Sequence, residues 1–122
     1  MWRALIWGVG VLTIAATGAQ AATPLDGRWL VDLSTQPGKP YVKAMDLVLA
    51  DDGSVSGSFY DSTIEAGRWK TARGRTCVSF RTTDGKGPYH TAACLIGDEV
   101  QGQTWAEHRN FLFNWNAKRS AE

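Results

Sequence analysis

The sequence predicts an all-β protein: an eight-stranded antiparallel up-and-down barrel preceded by a cleavable signal peptide. Three observations carry this. Beyond residue 22, short runs of alternating apolar and polar side chains recur, and no stretch holds a 3.6-residue apolar period. Gly- and Asp-containing turns separate the runs at hairpin spacing. Counting outward from one such turn puts the chain's two cysteines on the same rung of a ladder.

Residues 1–21 read as the signal peptide. Arg3 is the lone charge, Leu5 to Ala16 is an apolar run, and Ala19-Gln20-Ala21 fits small-x-small cleavage. The run is about a dozen residues, short of the roughly 20 that span a membrane, so a membrane anchor is the weaker alternative and no span is expected after cleavage. Residues 22–122 then form one β-barrel domain, periplasmic or secreted. The full chain has 13 basic and 12 acidic residues, and removing Arg3 leaves 12 of each. That balance argues against a nucleic-acid partner, which requires a basic face.

Eight strands are expected at about 27–34, 41–50, 54–60, 64–72, 75–83, 88–96, 99–106 and 110–118. Asp51-Asp52-Gly53 suits a three-residue turn with Gly left-handed, which sets Leu49 opposite Val55, Leu47 opposite Gly57 and Met45 opposite Phe59. Arg73-Gly74 suits a two-residue turn and sets Trp69 opposite Val78. Asp84 to Gly87 forms a four-residue loop that pairs Thr83 with Pro88, and hence Cys77 with Cys94. In an oxidising compartment such a pair forms a cross-strand disulfide. Two buried thiols or a metal pair are the alternatives, and no matching His pair supports a metal.

This register sorts the faces. Trp69, Val78, Phe80, Ala93, Leu95, Val100, Gly102, Thr104, Phe111, Phe113 and Trp115 share one side. Trp29, Val31 and Leu33 extend it on the first strand, and Met45, Leu47 and Leu49 on the second. Large residues interleave with Gly57, Ala93 and Gly102, as a small barrel interior requires. Cys77, Ser79, Arg81, His90, Cys94, Gln101, Gln103, Trp105 and Leu112 take the other side. A sandwich could bury the same face, but closure removes the unpaired edges.

Gly27-Arg28-Trp29 opens the first strand and Lys118-Arg119 closes the last. This resembles the calycin superfamily of lipocalins, fatty-acid-binding proteins and avidins, where a G-x-W tryptophan plugs the barrel base beneath a basic side chain. The resemblance implies that Trp29 is the plug and Arg119 its cover, with Lys118 as substitute, a pairing with a cation–π rationale. Val55-Ser56-Gly57-Ser58-Phe59 and Gly102-Gln103-Thr104-Trp105 are similar to avidin strand patterns. Phe59 stands where avidins carry a ligand-binding Tyr, and no polar run follows Trp29, so biotin binding is not implied.

The ligand-binding candidates are the interior aromatics Phe59, Trp69, Phe80, Phe113 and Trp115, with Trp29 structural and Tyr41 at the mouth. The alternative is a filled core, since an eight-strand barrel just holds its own side chains. Ser34 to Pro40 has the length and composition of a lid or of an ordinary exposed loop. Trp105 falls outward beside Leu112 and His90, with Leu30 expected nearby, and this suggests an interface for a homo-oligomer or protein partner, unless a bulge turns the indole inward or the surface simply tolerates it. His90 and the Glu107-His108 pair lack metal-ligand spacing, and no cofactor is implied. Asp32, Asp46, Asp61, Glu65, Asp98 and Glu99 fall on outward or turn positions, with Asp61 and Glu65 at one barrel end where they could approach each other. Nothing marks a nucleophile with its base. The leading function is therefore non-catalytic binding of a small, largely apolar ligand in the barrel. An envelope protein-interaction module or inhibitor acting through the Trp105 face and loops is the alternative, and a barrel enzyme the third reading.

Overall fold

The computed structural model describes residues 24–121. The expected signal peptide, and with it the boundary at residue 21, lies outside the described residues. The chain forms a closed antiparallel barrel. Its strands are β1 (Gly27–Asp32), β2 (Val42–Leu49), β3 (Ser54–Phe59), the two-residue β4 (Ser62–Thr63), β5 (Glu65–Ala72), β6 (Arg75–Thr83), β7 (Pro88–Ile96), β8 (Glu99–Ala106) and β9 (Phe111–Arg119). The eight long strands pair in sequence order, β3 directly with β5 while β4 pairs back on β3, and β9 returns to pair with β1, Trp29 opposite Arg119 and Val31 opposite Ala117. No unpaired edge is left around the eight long strands, which is what closure achieves.

The register follows the turn chemistry. Leu49 opposes Val55, Leu47 opposes Gly57 and Met45 opposes Phe59. Trp69 opposes Val78, and Thr83 opposes Pro88. Cys77 and Cys94 are directly opposed, with Cα atoms 4.0 Å apart, and are joined as a disulfide. Gly57, at φ 127°, is a position where a Cβ would run into the Asp46 carbonyl, so the close approach of β3 to β2 requires glycine there.

One element departs from simple alternation. Register shifts between Glu65 and Arg68, where Ala66 takes φ 53°. This bulge inserts one residue, so Ile64 and Gly67 are both buried while Glu65 faces out against Arg81. The strand expected over 64–72 is β5, and the two-residue β4, not expected, precedes it.

The core comprises Leu25, Trp29, Val31, Leu33, Met45, Leu47, Leu49, Val55, Phe59, Ile64, Val78, Phe80, Ala93, Val100, Trp115 and Ala117, with Trp69, Leu95 and Phe113 partly buried against it. At the base, the Arg119 guanidinium lies 4.2 Å from the Trp29 ring centroid and donates to the carbonyls of Asp26, at 2.7 Å, and Pro24. The Trp29 indole N–H donates to the Leu25 carbonyl at 3.0 Å. Trp69 donates to the Ala50 carbonyl at 2.7 Å, tying β5 to the β2–β3 turn. No described helix is long and apolar enough to cross a membrane.

Candidate functional site

At the opposite end the barrel is hollow. A cavity of about 460 Å³ opens among the β1–β2 loop, the β3–β4 turn, the β6–β7 loop and the β8–β9 turn. That lies within the range of roughly 300–1,000 Å³ typical of small-molecule sites. Phe59, Phe113, Thr82 and Thr104 form its inner wall, and Tyr41, Tyr60, Tyr89, Phe111, Lys39, Asp84 and Arg109 are among its remaining lining residues. The sequence holds three tyrosines, and all three line this one cavity.

Local conformation positions these side chains. Phe59 pairs with Ser62, so Tyr60 and Asp61 are the two central residues of a tight hairpin turn, and both lie at positive φ, 56° and 65°. Such turns ordinarily recruit Gly or Asn. A bulky residue held in that region costs about 1–3 kcal/mol and persists where its surroundings over-determine it. The surroundings are visible. The Tyr60 hydroxyl makes a short hydrogen bond with that of Tyr41, the two rings meet edge to face at 5.8 Å, and Lys43 sits 5.5 Å from the Tyr60 ring while bridging to Asp61 at 2.9 Å. The bond to Tyr41, with partial burial, pushes the Tyr60 phenol up to about 12.

A second cluster lies across the β6–β7 and β8–β9 loops. Glu107–Arg109 form one 3-10 turn closed by Asn110 at φ 52°. Arg109 Nη1 donates to the Tyr89 hydroxyl at 2.9 Å, and Tyr89 in turn donates to Asp84 Oδ2 at 2.7 Å. The Tyr89 hydroxyl and the Lys86 N–H hold the Asp84 carboxyl below its usual range. His108 packs edge to face on Tyr89, and a Cβ at Gly87 would collide with its ring, so glycine is required for this packing.

The floor is a buried polar triad. Thr104 and Thr91 share a hydrogen bond of 2.9 Å, and the Trp115 indole donates to Thr104 Oγ1 at 3.0 Å.

The structure divides the aromatics expected to bind ligand. Phe59, Phe113 and Tyr41 line the cavity. Trp69, Phe80 and Trp115 do not: Phe80 and Trp115 pack against Phe59 in the filled lower barrel, with centroids at 5.5 and 5.4 Å, and Trp69 is fixed at the base. Phe111 has the expected inward parity but lies past the core at the rim, 40% exposed and stacked on Phe113 at 5.0 Å. The β1–β2 loop contributes Ser34, Thr35, Gln36 and Lys39 to the wall.

On the outer wall, Trp105 stands between His90 and Leu112 in one cross-strand row, 37% exposed, with Leu112 51% exposed. Leu30 does not join this row. It pairs with Lys118, six residues along β9 from Leu112, or roughly 20 Å away at strand rise. The acids expected at one barrel end are engaged apart, Asp61 with Lys43 and Glu65 with Arg81. Among the described residues no group of three or more His, Cys, Asp and Glu side chains is arranged to hold a metal.

Tyr60, Tyr89, Asp84 and Arg109 were not among the sequence-derived candidates. Tyr89 had a signal, since it shares parity with Thr91, Ala93 and Leu95 on β7. Comparison of the chain with protein-family models, curated proteins and solved structures returns no match.

Proposed function

We propose that the protein is an exported, non-catalytic binding protein of calycin type that holds a small, largely apolar ligand in the barrel mouth. The observation that carries this reading is the cavity of about 460 Å³, walled by aromatic rings at one end of the barrel, whereas the recess at the other end has Trp29 as its one aromatic ring among mostly charged and small residues. Export is supported by the Cys77–Cys94 disulfide, a bond that persists in oxidising compartments. The calycin assignment rests on the G-x-W strand and the Arg119 guanidinium stacked on Trp29. A binding role suits a site whose one acid, Asp84, is held by the Tyr89 hydroxyl. The exposed Trp105–Leu112 pair favours the interaction-module reading, but it offers two apolar side chains on a polar wall and no enclosure.

The test is a fluorescence titration with anilinonaphthalene sulfonate. Wild type is expected to bind one equivalent saturably. Phe113→Ser removes a half-buried ring from the wall without touching the sealed base, and should weaken binding about tenfold, equivalent to about 1.4 kcal/mol. Absence of saturable binding, or an unchanged affinity in Phe113→Ser, would refute the cavity as the site.

A further inference from the structure

Resting on the cavity reading, we propose that the occupant is a planar aromatic acid, its rings between the aromatic walls and its anionic group on Arg109. The wall composition supplies the first half. Six of the residues lining the cavity are aromatic, and Leu33 is the sole aliphatic one. Rigid rings meet a flat partner by offset stacking and edge contacts. The geometry at the rim already has this form, with Phe111 stacked on Phe113 and Tyr60 edge-on to Tyr41.

Proton and charge accounting at the rim supplies the second half. Arg109 has five N–H donors in a planar fork that matches a carboxylate. It donates to the Tyr89 hydroxyl, and among the described residues no carboxylate lies within ion-pair distance of it. The one acid in the wall, Asp84, is already occupied: Oδ1 accepts from the Lys86 N–H at 2.9 Å and Oδ2 from Tyr89 at 2.7 Å. The Tyr89 hydroxyl proton is therefore committed to the bond to Asp84. Tyr41 and Tyr60 carry two hydroxyl protons and use one between them, which leaves one to donate. Lys39 adds a second cation from the β1–β2 loop. An anion at the mouth thus meets a guanidinium fork, an ammonium and a phenol.

Isothermal titration with 2-naphthoate, 2-naphthalenemethanol and octanoate separates the elements of this proposal. Naphthoate is expected to bind at least about tenfold tighter than the isosteric alcohol, the scale of a charge-assisted hydrogen bond, and tighter than octanoate. Arg109→Gln should erase the preference for naphthoate while leaving the alcohol's affinity unchanged. Arg109→Lys, which keeps the charge and loses the fork, should retain part of it, with circular dichroism reporting the fold of both. Equal binding of naphthoate and alcohol, or a preference that survives Arg109→Gln, overturns the anion site. Octanoate binding as tightly as naphthoate overturns the planar class. Either result leaves the apolar cup standing, whereas no saturable binding of any of the three overturns the cup and the acid together.

Discussion

Gly102→Ala is the perturbation that tests how the filled and hollow halves of the barrel are joined. Gly102 lies on β8 between Ala93 and Trp115. A Cβ there would lie 2.6 Å from Trp115 Cε2 and closer still to Cζ2 and Cη2. Restoring ordinary contact drives the indole back by roughly 1 Å, an overpacking that costs about 1–3 kcal/mol. The same movement stretches the 3.0 Å bond from the Trp115 indole to Thr104 beyond hydrogen-bond length. A buried donor left without its partner adds about 1–3 kcal/mol. Reduced freedom of the unfolded chain returns about 0.4–1 kcal/mol. The expected net loss is about 1–5 kcal/mol, centred near 3, which at about 4–8 °C per kcal/mol lowers the melting temperature by roughly 12–24 °C at that centre for a domain of this size. Urea unfolding followed by tryptophan fluorescence and by circular dichroism measures it. Because Phe59 packs on Trp115 at 5.4 Å and also lines the cavity, probe affinity should fall as well. In a Trp115→Phe background the smaller ring leaves room, and the cost of Gly102→Ala should shrink, a coupling that a double-mutant cycle reads directly. A Gly102→Ala protein within about 0.5 kcal/mol of wild type, the ordinary range for a surface change, would show that Trp115 is not pinned between strand and triad.

Two further outcomes are expected. Opening the Cys77–Cys94 bond, which closes a sequence separation of 17 residues, should lower stability by about 3 kcal/mol on chain-entropy grounds; unchanged melting in dithiothreitol, with both thiols shown free by labelling, counts against that estimate. In an ultraviolet phenolate titration one tyrosine should ionise late, near the value of about 12 to which its bond with Tyr41 pushes Tyr60. Its folded value lies above the unfolded one, so its contribution to stability is complete below about pH 10 and is lost as the pH climbs from there towards 12. Tyr41→Phe should bring the late phase down, and a late phase that ignores this change would locate its cause elsewhere.

The parts of the fold legible in the sequence are those governed by turn chemistry. Asp51-Asp52-Gly53, Arg73-Gly74 and the Asp84–Gly87 loop each fix a hairpin length, and a fixed length determines every facing pair along two strands. Trp105 is outward because the two-residue Gly97-Asp98 turn carries the same count onto β8, although hydrophobicity argues the other way. What was not legible lies where non-glycine residues take positive φ. Ala66 makes the β5 bulge, and Tyr60-Asp61 makes a turn that glycine or asparagine would have announced. Arg109 is placed by a 3-10 turn ending on a left-handed Asn110, a geometry that alternation does not encode. The division between filled and hollow was beyond the pattern too. It depends on side-chain volume at individual inward positions, not on their parity.

Those volumes explain why the cavity sits at one end. Each indole in the barrel has a partner supplied by the fold: Trp29 by the Leu25 carbonyl, Trp69 by the Ala50 carbonyl and Trp115 by Thr104. Large rings with satisfied N–H groups can therefore be sealed in without an orphaned donor. Towards the mouth the inward positions change character. Ser62, Thr82 and Thr104 occupy places where leucine or phenylalanine would fill the space and add burial energy, and the rings that remain are phenylalanines and tyrosines. Core positions kept small and polar beside an open cavity forgo stability, a pattern expected where a site needs the space for something other than the chain. The tyrosines complete the contrast. Their hydroxyls bond chiefly to one another and to the rim charges, so the polar requirement met by backbone at the base is met at the mouth by groups that a bound molecule can join.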